Sequence, residues 1–192
     1  MFLIKEFIAL LCANLIFTQA LGTSTMIVAA KNKVNLAKIG LTITFFVTSA
    51  SMIAYFIDRL IPAKSDYLLL ICYVAVIAII YVAALIILNV ANKNFFEKCK
   101  LYIHLSAYNC AVAGSIFTVH NKALETGNFD LSYYALFGLQ SGFGFVVAAL
   151  FLMAAYKNLN SSKVPASFRG LPAMLVYIGM ISMAVYSLGS SI

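Results

Sequence analysis

Charge is what this chain has least of: 10% of its 192 residues are Asp, Glu, Lys or Arg, against about a quarter in soluble domains. That shortage excludes a soluble domain of any size. Tryptophan is absent, there are three prolines, and no Gly-, Ser- or Pro-rich stretch marks a linker, so one domain over 1–192 is the simplest organisation. The four cysteines, Cys12, Cys72, Cys99 and Cys110, form no CxxC pair and no disulfide framework. Taken singly, each reads as a small buried hydrophobe. No nucleophile triad, phosphate loop or dinucleotide fingerprint occurs, so the chain alone offers no complete catalytic machinery.

What is present is hydrocarbon. Hydrophobic residues make up 64% of the chain and gather in six runs, over 7–30, 39–57, 67–92, 101–121, 131–156 and 170–192. Each is close to the roughly 20 residues a spanning helix needs, and far from the short alternating strands of a barrel. Backbone amides in hydrocarbon must be satisfied within the segment. The expected fold is therefore an all-α membrane protein with six transmembrane helices, and its first partner is the lipid bilayer.

The net charge of +7 does not point to nucleic acid, because the basic residues fall in alternate loops. Lys31, Lys33 and Lys38 follow the first run, Lys93, Lys98 and Lys100 the third, and Lys157, Lys163 and Arg169 the fifth. These are nine of the thirteen Lys and Arg. By the positive-inside rule those three loops are cytoplasmic and both termini lie outside. Lys5 before an apolar run, with Thr18-Gln19-Ala20 after it, also has some features of a cleaved leader. Against cleavage stand Asn14 and Gln19 within the run, and its continuation through Met26 to Ala30 into a basic loop.

Two of the six runs are interrupted by small and polar residues. Leu21-Gly22-Thr23-Ser24-Thr25 breaks the first, and the fourth is small and polar from Ser106 to Ser115. Three spans precede Asn92 and three follow, so the second set lies inverted relative to the first, and the two interrupted spans each lead their set. Paired interruptions of this kind point to a site near the bilayer midplane. Asn14, Thr18, Gly22 and Thr25 recur at helical spacing and give the first span a face that should meet protein. Gly138 and Gly142 have the GxxxG spacing that lets a second helix approach closely. The runs contain no Asp, Glu, Lys or Arg, so no buried carboxylate is expected to bind a proton or sodium ion. His104 and His120 would stand about 24 Å apart on one continuous helix, too far to share a metal.

Several segments together resemble one family. They are Ala13-Asn14-Leu15-Ile16-Phe17-Thr18-Gln19-Ala20-Leu21-Gly22, Asn109-Cys110-Ala111-Val112, Phe137-Gly138-Leu139 with Gly142-Phe143-Gly144-Phe145, and Val164-Pro165 through Phe168-Arg169-Gly170-Leu171-Pro172. In this order they resemble the integral-membrane A-type component of Rnf electron-transport complexes (RnfA) and its counterpart NqrE in the sodium-pumping NADH:quinone reductase. The resemblance implies a bacterial or archaeal plasma (inner) membrane protein built as two inverted three-helix repeats. It also implies that helices 1 and 4 are broken near mid-membrane. Each repeat would contribute one cysteine, a homologous RnfE/NqrD-like six-helix partner two more, and the four thiolates would hold a [2Fe-2S] cluster that relays electrons across the membrane. Cys110 matches the cysteine of the second repeat. At the first-repeat position, Leu-Gly-x-Cys in the family, this chain reads Leu21-Gly22-Thr23-Ser24. A hydroxyl is a far weaker acid than a thiol and a harder ligand, so Ser24 binds iron poorly or shifts the potential. Cys12, about 18 Å from Ser24 along a helix, is a poor substitute.

Three readings follow: a subunit that shares an iron-sulfur centre through Cys110, with Ser24 as a weak or vacant fourth position; a scaffold of the same complex that has lost the cluster; and a small solute-binding membrane component that uses the polar interruptions as a pocket.

Overall fold

A computed structural model describes residues 14–60, 66–91 and 93–189, all-α among those residues. Eight helices are seen there: α1 (Leu15–Gln19), α2 (Thr23–Ala30), α3 (Lys33–Leu60), α4 (Asp66–Ala91), α5 (Lys93–Ala107), α6 (Cys110–Thr126), α7 (Leu131–Leu159) and α8 (Leu171–Gly189). Three segments, Lys33–Leu60, Leu68–Ala91 and Leu131–Leu159, are long and apolar enough to cross a membrane, and the shorter Leu171–Ser187 is also apolar. Large side chains stand exposed along them, among them Leu41, Phe45, Ile71, Ile79, Ile87, Leu136 and Met183. Such a surface is stable only against lipid or another protein. The chain is an all-α membrane protein.

Two of the expected spans are split. The first run ends its opening helix at Ala20, which takes the left-handed conformation (φ 55°), and resumes after Gly22 (φ 82°). The Ala20 and Leu21 amides turn back to bond the Ile16 and Leu15 carbonyls, closing the end of α1. The fourth run is split at Tyr108 and Asn109. Asparagine caps open α1 and α6, Asn14 Oδ1 accepting from the Ile16 amide and Asn109 Oδ1 from the Ala111 amide, both at 3.0 Å, whereas α2 starts at Gly22 with no side-chain cap. Residues 1–13, with Lys5, Cys12 and the start of the first run, lie outside the described residues.

The centre of the fold is α3 against α7, the most extensive helix pair. It is made by missing side chains. A Cβ added to Gly142 would stand 2.7 Å from the Thr44 Cα, and one at Gly138 2.8 Å from the Thr48 Cα. Gly40 on α3 in turn receives the Val146 side chain. The GxxxG spacing is thus used for close backbone approach, with α3 as the helix that fits it. Around this pair Ile39, Ile43, Phe46, Val47, Ala50, Ala148, Ala149 and Leu152 are buried. Thr42, Thr44 and Thr48 direct their hydroxyls to carbonyls four residues back, so these three bring no unpaired hydroxyl to the packing.

The polar stripe expected on the first span does not survive as one face, because the chain turns between Gln19 and Thr23. Asn14 and Thr25 are buried, whereas Thr18 is exposed and its hydroxyl bonds the Asn14 carbonyl. Asn14 does meet protein: its Nδ2 donates to the Gly144 carbonyl at 2.6 Å. On the other flank Ser182 of α8 donates to the Phe17 carbonyl, taking an acceptor that the short α1 cannot satisfy within itself.

Candidate functional site

The two helix breaks meet. Gly22, in the first, donates its backbone N–H to the Sγ of Cys110, in the second, at 3.0 Å. A Cβ on Gly22 would lie 3.0 Å from the Ala111 Cβ and 3.1 Å from Asn109 Oδ1, so the positive φ and the close approach both select glycine here. Cys110 opens α6, where the free amides of the first turn favour negative charge. The Nδ2 of the buried Asn109 has no partner, an unused donor one residue from the sulfur. Cys110 and Ser24 are both exposed, as is Tyr108 beside them. Both candidate positions thus face outward from the chain, at a junction lined by N–H donors.

Among the described residues no three of His, Cys, Asp and Glu come together as a metal site. The junction supplies one thiol, one serine hydroxyl and two N–H donors. This set fits a contribution to a centre shared across an interface and does not fit one held by this chain alone. Cys72 and Cys99 are half-buried on α4 and α5, and Cys99 packs against the core.

A second polar centre departs from the sequence expectation. The run read as 39–57 ends one residue before Asp58, but α3 continues to Leu60, and the Asp58 side chain is only 1% exposed. The expectation of no buried carboxylate fails, because three other helices bring polar partners to it. Tyr73 of α4 donates to Asp58 Oδ1, and Tyr134 of α7 donates to Oδ2 at 2.6 Å. His120 of α6 places Nδ1 3.0 Å from Oδ2, within ion-pair range but not aligned as a hydrogen bond. A signal was present in the sequence: Val47, Ser51, Ala54 and Asp58 step along the buried face of α3 at intervals of three and four. His104 lies in a separate helix, bonded through Nδ1 to the Tyr81 hydroxyl at 2.5 Å. The two histidines therefore share no site.

Comparison with known proteins gives the same grouping over nearly the whole chain. A family model described as "Rnf-Nqr subunit, membrane protein" matches residues 3–192. The chain is similar to the A component of the ion-translocating oxidoreductase complex of Escherichia fergusonii, 28% identical over 173 residues that cover 89% of this chain and 87% of the relative. The protein of the same name in Azotobacter vinelandii is 26% identical over 182 residues (92% and 90% covered), and that in Histophilus somni 24% over 173 residues (89% and 87%). With a family match of this extent, over a helical membrane fold whose breaks fall beside Gly22 and Asn109, the chain belongs to the Rnf-Nqr family of membrane subunits.

Proposed function

We propose that this chain is the A-type membrane component of an ion-translocating oxidoreductase complex of the Rnf/Nqr type, and that it passes electrons at a site shared with a homologous six-helix subunit. The observation that carries this reading is the Gly22–Cys110 contact, which brings both helix breaks together beside an exposed thiol. In this reading α1 with α2, and α5 with α6, are the broken first and fourth of six spans, arranged as two inverted triplets. The loops after spans one, three and five are cytoplasmic and both termini are outside.

Cys110 would be the chain's ligand to a [2Fe-2S] cluster, with Ser24 a weak or vacant second position and the partner supplying the remaining thiolates. Such a cluster, when held there, accepts and returns one electron. The chain's own work is to hold the Cys110 sulfur at the open end of α6, to direct the Gly22 N–H at it, and to keep the Asn109 amide available beside it. N–H donors of this kind stabilise negative charge on sulfur and tune a potential. Metal analysis of the purified complex tests the assignment: Cys110→Ala should remove iron while the complex still assembles. An intact wild-type complex without iron at that junction rejects the ligand role.

Ser24 supports a second reading, a scaffold that keeps the fold and the partner without the cluster. Ser24→Cys separates the two. A gain in iron content or in electron transfer supports a shared centre, and no change in either supports the scaffold.

A further inference from the structure

We infer that Asp58 and His120 form a proton-binding site, open to water at the membrane face where α3 ends, and separate from the junction at Cys110.

An ionised carboxylate buried among helices is costly unless it is paired and hydrogen-bonded. Asp58 has two hydroxyl donors, from Tyr73 and Tyr134, that lower the cost without cancelling the charge. Cancellation falls to His120, the cationic candidate in direct reach, 3.0 Å from Oδ2. With Asp58 ionised and His120 neutral the pair carries one negative charge, and with one more proton it carries none. Histidine is the side chain whose charge changes most readily near neutral pH. A purely structural fastener would hold both partners in a fixed hydrogen bond. Here the Nδ1 lies 3.0 Å from the carboxylate without that alignment.

Access is the second observation. Asp58 lines a cavity of about 410 Å³ whose other walls are Tyr55, Arg59, Phe129 and Asp130. Arg59 is exposed and hydrogen-bonds the Tyr55 hydroxyl at 2.9 Å, and Asp130 stands exposed at the start of α7. A hydronium ion in that cavity can give its proton to the pair and leave as water, with no other reactant required. The groups that set the exchange are Tyr55 and Arg59 on α3, Tyr73 on α4, His120 on α6, Tyr134 on α7 and Asp130 before it. Lys122, also on α6, holds its ammonium over the Phe137 ring of α7, 5.2 Å from the centroid.

The inference does not depend on the redox reading, and its test needs no iron. The chain has two histidines, so carbon-13 labelling of histidine in the full chain, reconstituted in lipid nanodiscs, gives ring signals that His104→Gln assigns. The His120 signals are expected to move as the pH is taken from about 5 to 8, and Asp58→Asn is expected to change the course of that movement. Tyr134→Phe, which removes one hydroxyl and keeps the carboxylate, serves as the milder variant where Asp58→Asn does not fold. It too should alter the response. His120 signals that stay constant over the whole range, or that respond identically in the wild type and in a folded variant, overturn the proposal.

Discussion

Gly22 is the residue on which the junction most depends. Its φ of 82° is a conformation that a side chain resists, and a methyl group would press on Ala111 and Asn109. Gly22→Ala should cost about 1–3 kcal/mol, read from chemical unfolding of the purified protein in detergent. The sequence already showed this residue as an interruption, and the family resemblance marked Cys110 and Ser24 as candidates. That Gly22 and Cys110 touch was not visible, since contacts between breaks 88 residues apart depend on how the helices pack. Asp58 was missed for a related reason. A charge beside Arg59 at the edge of an apolar run reads as loop, and only its three partners from α4, α6 and α7 make it interior.

Among the helices, α3 and α7 were the better anticipated pair. The glycine spacing in the fifth run pointed to close approach, although nothing in the sequence named α3 as the recipient. Gly142→Leu should separate the pair and destabilise the protein by several kcal/mol or prevent folding, because the obstructing atoms include the Thr44 backbone, which cannot rotate away. Gly179→Ala in α8 is the control. Among the described residues nothing beyond its chain neighbours and its own helix backbone lies within 4 Å of an added Cβ there, so the change should be neutral or stabilise by up to about 1 kcal/mol. Thermal unfolding of the two variants side by side checks both expectations. The helix breaks were placed within a few residues, yet the long polar stripe of the first span was wrong, because helical spacing has no meaning across a turn such as Ala20–Gly22.

Taken whole, the protein exposes large apolar side chains along its helices and, among the described residues, one outward-facing thiol, at the meeting of its broken helices. A maleimide reagent should therefore label Cys110 readily in the isolated chain and far more slowly in the assembled complex. Equal labelling in both would place the partner elsewhere. Reporter fusions at the Lys31 and Lys93 connections should fall on the same side of the membrane, as expected for an even number of crossings between them. The apolar runs, the charge alternation and the two interrupted runs were readable along the sequence; what the breaks turn toward is decided by packing that a hydropathy pattern does not encode.

The glycine-lined seam between α3 and α7 also limits how this protein can move. A slip of one turn, about 5.4 Å, would bring Tyr134 to the place of Gly138, or Val146 to the place of Gly142, against the backbone of Thr48 or Thr44. Neither side chain has room there. α3 and α7 therefore hold one register, a single keel beside which the short half-helices lie.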